Sequence, residues 1–147
     1  MTTRIVSATR IIDATPEVIF DILADPAEHL VIDGSGTVIS SKSNPRRLAL
    51  GDSFSMSMKL FGLPYTTKNI VCELEENHVI AWHHVAQFIW RYQLDPVEGG
   101  TKVTETFDYS KPWGVALIPT GIPEKNRAGM ERTLERLDNL VTTGSAD

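Results

Sequence analysis

The carboxyl group with the most unusual predicted surroundings in this sequence belongs to Glu105. It lies in an alternating stretch that ends near Tyr109, and every second side chain of a β-strand points to the same face. Glu105 would therefore share an apolar face with Phe107 and Tyr109. A carboxylate in that position must be paired or hydrogen-bonded, or its pKa rises and it becomes a candidate acid or base. A bulge or a strand edge that turns the side chain to solvent is the alternative.

Two adjacent histidines, His83 and His84, are the other candidates for proton transfer. On a strand they point to opposite faces, and parity with Trp82 assigns His84 to the apolar one. If His84 and Glu105 face one cavity, they are candidates for a catalytic pair that moves protons, as aldol cyclisation or dehydration requires.

A set of large apolar side chains could form the wall of a cavity around these polar groups. Any single ring among them could equally be part of a filled core, because burial is the default use of aromatic residues. The methionines are soft side chains that adapt to variable shapes. The predicted ligand-binding residues are Met56, Met58, Trp82, His84, Trp90, Tyr92, Glu105, Phe107, Tyr109, Trp113, Met130 and Leu134.

The elements that position these residues begin with a strand over Arg4 to Ile12 and two short helices. Thr15 is a good N-cap and Pro16 suits the first helical position, while the second short helix covers Ala27 to Ile32. The hydrophobic period then changes from 3.6 to 2, which predicts antiparallel strands joined by short turns. These strands are Ser53 to Leu60, about Thr66 to Glu75, Val79 to Val85, Phe88 to Leu94 and Lys102 to Tyr109, with turns at Gly62-Leu63-Pro64, Glu76-Asn77 and Pro96 to Gly100.

The last predicted element is a helix from about Pro123 to Val141, with an apolar stripe through Met130, Leu134 and Leu137. A sheet with one dry face needs a cover, and this helix is the only large apolar element left to provide it. A curved sheet wrapped around one helix rarely fills completely, so we expect a pocket between them. The apolar loop from Lys111 to Pro123 is a natural rim or lid; packing on the sheet edge, a subunit contact and a transient membrane touch are its other uses.

Composition narrows the classes of partner. The 147 residues fit one domain, 1–147, and the formal charge of -5 with a single adjacent basic pair, Arg46 and Arg47, argues against nucleic acid. Cys72 is the sole cysteine, so no internal disulfide can form and we expect a cytoplasmic protein. We expect the protein to be a monomer or a homodimer. We find no signal peptide and no apolar run long enough for stable membrane insertion.

The sequence also offers no site for a bound cofactor. His29 and His78 lack the spacing of metal ligands relative to the other histidines, so we predict no metal. Neither a glycine-rich phosphate loop nor a nucleophile elbow is present, and we predict no other cofactor.

Several segments carry a likeness to a known group of proteins. The order of elements and four segments resemble the polyketide cyclase/dehydrase and lipid-transport superfamily (SRPBCC), the START-like or Bet v 1-like helix-grip proteins. The segments are Thr15 to Val18, Ile80 to His84, Trp90 to Pro96 and Gly100 to Thr106. The resemblance implies an α+β helix-grip fold, in which a curved antiparallel sheet of about six to seven strands wraps around a long C-terminal helix. It also implies a deep hydrophobic cavity, which in relatives holds lipids, steroids, polyketides or other aromatic molecules.

Three functions remain open from the sequence. The first is intracellular binding or transport of a small hydrophobic ligand, without catalysis. The second is a polyketide aromatase/cyclase or dehydratase, which would need two or more titratable groups on one cavity wall. The third is a regulatory or partner-binding module, which an exposed Trp113 loop over a filled core would favour.

Overall fold

The structure is a computed structural model that describes residues 4–34, 38–41, 47–60 and 62–146. Its elements are β1 (Ile5–Ile12), α1 (Pro16–Leu23), α2 (Pro26–Ile32), β2 (Val38–Ser41), β3 (Ser53–Leu60), β4 (Leu63–Glu75), β5 (Val79–His83), β6 (Ile89–Val97), β7 (Gly100–Asp108) and α3 (Ile122–Thr143). Two 3-10 helices, Val85–Gln87 and Pro112–Thr120, lie in the connections. The predicted α+β helix-grip class is confirmed. Arg46, predicted to form a basic pair with Arg47, lies outside the described residues.

One antiparallel sheet of seven strands holds the site, in the order β1-β7-β6-β5-β4-β3-β2. Neighbours from β2 to β7 are consecutive along the chain, and β1 pairs with β7, so the first strand closes the far edge. The register of β4 on β5 shifts at Cys72, between Val71 and Glu73. An extra residue at such a point bends the strand and increases its twist. The shift explains why odd-numbered residues up to Val71 face inward, whereas beyond it the even-numbered Cys72 and Leu74 are the less exposed ones.

Two prolines assigned to turns from the sequence lie inside strands, which corrects the predicted turns at Gly62-Leu63-Pro64 and Pro96 to Gly100. Pro64 pairs with Lys59, at a part of β4 that extends beyond the pairing with β5. Pro96 pairs with Thr101 at a part of β6 that β5 also does not reach. At both positions the strand has a neighbour on one side only, where a missing N–H costs no ladder hydrogen bond.

The first two helices begin where the sequence predicts. The hydroxyl of Thr15 accepts a hydrogen bond from the Val18 N–H at 3.4 Å, with Pro16 at the first helical position. Asp25 caps α2 in the same way, because its carboxylate accepts from the Ala27 N–H at 3.0 Å. Buried Ile19, Phe20 and Leu23 of α1 join the core.

Helix α3 packs on β1 and β7 and is held at its flanks by polar contacts. Arg10 of β1 and Asp138 form an ion pair at 2.8 Å. Next to the end of α2, the Arg132 Nε donates to the Gly34 carbonyl at 2.6 Å, and the Gly34 N–H donates to the Thr133 hydroxyl at 2.9 Å. A Cβ on Gly34 would lie 2.5 Å from the backbone of α3, so glycine allows this close approach. These contacts fix the helix across the inner face of the sheet.

Candidate functional site

A cavity of about 600 Å³ lies between the inner face of the sheet and helices α2 and α3. Its lining is mainly apolar and aromatic. Nine of the twelve predicted ligand-binding residues line it, namely Met56, Met58, Trp82, His84, Trp90, Tyr92, Glu105, Phe107 and Met130. The residues that sequence reasoning missed include His29, Asn69, Phe88 and Thr133, while Leu117 and Ile122 come from the predicted rim segment Lys111 to Pro123.

Glu105 is buried in the wall of this cavity, with 1% of its surface exposed. The alternative that a bulge or strand edge turns it to solvent is therefore wrong. The register places Tyr92 of β6 directly opposite, and both Trp90 and Tyr92 reach the same carboxyl oxygen. Oε2 accepts a hydrogen bond from the Trp90 indole N–H at 2.6 Å and another from the Tyr92 hydroxyl at 2.9 Å. Oε1 is buried and has no hydrogen-bond partner among the residues that the structure describes.

Burial decides the charge of this carboxyl group. It raises the pKa of Glu105 to about 8, against the hydrogen bonds from Trp90 and Tyr92, which lower it; the negative charge of Asp33 adds to the rise. Glu105 is consequently a neutral acid at pH 7. Because Oε2 already accepts two hydrogen bonds, the acid proton resides on Oε1. The group therefore presents an O–H donor that no protein atom uses.

His84 lines the same cavity but is bound to another partner. Its Nδ1 lies 2.8 Å from Asn69 Oδ1, and the Asn69 amide N–H donates to the Thr67 hydroxyl at 3.3 Å, which orients the amide. Nδ1 must then carry the proton, leaving the lone pair on Nε2. Burial lowers the pKa of His84 to about 4, so the ring is neutral at pH 7.

The predicted pairing of His84 with Glu105 takes a different form in the structure. Both side chains line the cavity, as strand parity predicted, but the hydrogen bonds run from His84 to Asn69 and from Glu105 to Trp90 and Tyr92. The rings of His84 and Trp90 meet edge to face with centroids 5.6 Å apart. Trp90 thus contacts both His84 and Glu105, and each of them interacts with Trp90 rather than with the other.

An aromatic cluster forms the wall next to α2. The His29 ring stacks on Trp82 with centroids 5.1 Å apart, and Phe54 meets Trp82 edge-on at 5.3 Å. His29 Nε2 lies 2.8 Å from the Leu23 carbonyl, and burial lowers the pKa of this histidine. Nothing in the sequence signals this contact, because His29 comes from a short helix far from Trp82 along the chain. Asn69 could have been found, since it shares the buried face of β4 with Val71.

Three predicted residues do not line the cavity. Tyr109 stacks on the far side of Phe107, with centroids 5.5 Å apart. Leu134 is buried in the core, because the cavity meets only the first half of α3, up to Thr133. Trp113 is 50% exposed, and its indole N–H donates to the Ala86 carbonyl at 2.8 Å. From the same segment, Lys111 to Pro123, Leu117 and Ile122 line the cavity instead.

Comparison with known proteins identifies the group to which this architecture belongs. A family model described as Polyketide cyclase / dehydrase and lipid transport matches residues 3–142. The chain belongs to this family. The predicted resemblance is thereby confirmed across nearly the whole chain. Within the described residues, this polyketide cyclase/dehydrase family member has no helix with the length and hydropathy that a membrane span requires, and no group of three acidic, histidine or cysteine side chains placed to hold a metal ion.

Relatives of this polyketide cyclase/dehydrase family chain occur in Mycobacterium tuberculosis. The uncharacterized protein Rv0088 of Mycobacterium tuberculosis is 38% identical over 134 residues, which cover 87% of this chain and 60% of Rv0088. The chain thus spans about 60% of the length of the curated relatives it matches. Among solved structures, protein Ms6760 from Mycobacterium smegmatis aligns with a TM-score of 0.69 at 16% identity, covering 98% of both chains. The AHSA1-like protein from Aeromonas hydrophila aligns with a TM-score of 0.70 at 17% identity, covering 98% of this chain and 96% of that protein. Both likenesses show the fold.

Proposed function

We propose that the protein binds a small, mainly apolar molecule inside the cavity between sheet and helix. The observation that carries this proposal is the cavity itself, whose volume of about 600 Å³ falls within the range of small-molecule sites. Aromatic rings and methionines dominate its wall, while a few polar groups converge on one part of it. Affinity would come from burial of apolar surface, worth roughly 25 cal/mol per Å². The methionines adapt to the shape of the bound molecule.

Binding without catalysis accounts for the protonation states better than a cyclase or dehydratase does. Proton abstraction at neutral pH calls for a base with a pKa near that pH, and the pKa of His84, at about 4, makes the ring a weak base. Glu105, which is protonated at pH 7, can donate a proton, but His84 does not supply the effective base that a cyclase or dehydratase would pair with it. An exposed Trp113 loop over a filled core would favour the partner-binding alternative; Trp113 is exposed, but the cavity means that the core is not filled. The single cysteine, Cys72, fits a reducing compartment, so the proposal places the protein in the cytoplasm.

Narrowing the cavity from one strand tests the proposal. The double variant Met56→Trp/Met58→Trp adds two indole rings to the cavity wall, so we expect it to bind the neutral apolar dye N-phenyl-1-naphthylamine at least ten-fold more weakly than the wild type. Dye fluorescence on titration with protein gives both dissociation constants.

The residue between the two methionines supplies the matched control. Ser57 lies on the same strand but faces away from the cavity, and Ser57→Trp should bind the dye like the wild type. Equal weakening in both variants, or undiminished binding in the double variant, would contradict occupancy of the cavity.

A further inference from the structure

Oε1 of Glu105, which has no hydrogen-bond partner among the described residues, indicates what kind of molecule the cavity recognises. Trp90 and Tyr92 both donate to Oε2, which holds the carboxyl group in one orientation. Oε1 is buried without a partner, and the side chain is part of the cavity wall. A buried polar atom left unpaired costs free energy, so a bound molecule that pairs with it gains affinity over one that does not.

We propose that the ligand is an uncharged, mainly apolar molecule with a carbonyl-type acceptor oxygen, and that the neutral acid form of Glu105 donates a hydrogen bond from Oε1 to that oxygen. The inference rests on the proposed function and specifies its ligand class. A neutral acid in an apolar pocket is an effective donor because it needs no counter-charge.

The groups around Glu105 agree with an uncharged ligand. Tyr92 faces it from β6, and Asp33, after α2, raises its pKa by its negative charge. An anionic ligand would be repelled by Asp33 and would find no lysine or arginine among the described residues that line the cavity.

The other described side chains that line the cavity add no charge at neutral pH. His29 of α2 and His84 at the end of β5 both have lowered pKa values and are neutral. Strand β1 places Ala8 opposite Glu105, and α3 contributes the uncharged Asn126 and Thr133.

Matched probes that differ only in the acceptor oxygen test the inference. Fluorenone and fluorene share one tricyclic frame, as do the more flexible benzophenone and diphenylmethane, and each can be competed against N-phenyl-1-naphthylamine. The readout is the ratio of the dissociation constants of the ketone and its methylene partner, because the ratio cancels their shared apolar burial. In the wild type we expect this ratio to shift against the ketone by about ten-fold between pH 6 and pH 9.5, since an ionised carboxylate cannot donate.

Glu105→Gln keeps a hydrogen-bond donor at this position but removes the group that ionises. A glutamine keeps an oxygen to accept from Trp90 and Tyr92 and presents an N–H to the ligand, and it does not ionise. We therefore expect the ketone preference to persist in this variant and to be independent of pH.

The outcomes separate this inference from the proposed function. If methylene probes bind and the wild-type ratio does not change with pH, the inference is overturned and cavity binding stands. If the cationic analogue 9-aminofluorene binds more tightly as Glu105 ionises and outcompetes fluorenone at pH 7, the ligand class is wrong. If no member of either pair displaces the dye and the dye itself does not bind, the proposed function falls first.

Discussion

Raising the pH from 6.5 to 8 should lower the free energy of unfolding of the wild-type protein, and Glu105→Gln should remove most of this loss. Burial raises the pKa of Glu105 from 4.5 to about 8 in the folded state. A raised folded pKa gives stability that is fully present below pH 4.5 and is lost as the pH rises through 8, because the native state retains a proton that the unfolded chain has released. At about 1.4 kcal/mol per pH unit, Glu105 contributes on the order of 5 kcal/mol across that interval.

The buried histidines change the pH range in which this loss of unfolding free energy can be measured. Burial lowers the pKa of His84 from 6.5 to about 4, and it lowers that of His29 as well. Their stability contribution is present above pH 6.5 and lost as the pH falls, which opposes the Glu105 slope at acid pH. The contribution of Glu105 alone therefore declines by roughly 2 kcal/mol between pH 6.5 and pH 8, and the two histidines offset part of this decline because the unfolded chain still protonates them near pH 6.5.

Urea unfolding followed by tryptophan fluorescence at pH 5, 6.5 and 8 measures the difference between the two proteins. The unfolding free energies of wild type and Glu105→Gln should diverge as the pH changes, with the variant gaining relative stability at the alkaline end. If the unfolding free energies of the two proteins change in parallel with pH, Glu105 is not a neutral acid in the folded protein.

Gly100→Ala should destabilise the protein by about 3 kcal/mol or more. Gly100 has a φ of +138°, which L side chains rarely adopt, and an added Cβ would lie 2.0 Å from the Ile12 carbonyl oxygen. The clash is with backbone at the end of β1, so no side-chain rotation relieves it. The next residue, Thr101, donates its hydroxyl proton to the Ala14 carbonyl at 2.7 Å. The close approach of Gly100 to Ile12 therefore also positions the chain that leads into α1.

Gly99→Ala is the matched control for that substitution. Gly99 also has a positive φ, of +90°, but an added Cβ would meet nothing within 4 Å. Only the conformational strain remains, about 1–2 kcal/mol. Chemical denaturation of both variants tests the comparison, and equal losses would mean that the approach to Ile12 does not constrain the sheet.

Strand parity predicted much of the cavity because it is a local property. Once an alternating segment is recognised, the faces of Met56 and Met58, or of Glu105 and Phe107, follow from a period of two. The inward position of Glu105 was therefore readable from the sequence, although its partners Trp90 and Tyr92 were not. Those partners depend on the register between β6 and β7, which sequence pattern alone does not fix.

The parts of the site that sequence reasoning missed depend on contacts between distant elements. His29 joins the wall only because α2 packs against the sheet near Trp82. Leu134 lies on the same helical stripe as Met130, but the cavity ends between them along α3, and periodicity carries no information on where a cavity ends. Trp113 is half exposed, and its indole N–H donates to the Ala86 carbonyl, a contact between two distant 3-10 helices that sequence pattern does not reveal.

Methyl NMR of protein labelled at methionine and isoleucine tests the central claim most directly, namely that a small apolar molecule occupies the space between sheet and helix. On titration with N-phenyl-1-naphthylamine, the methyl resonances of Met56, Met58 and Met130 should shift, while exposed Ile11 should not. The outer face of the sheet has a groove of its own, lined by Ile5 and Ile89. Shifts confined to these two isoleucines, with the three methionines unchanged, would place the molecule outside the cavity and contradict the account.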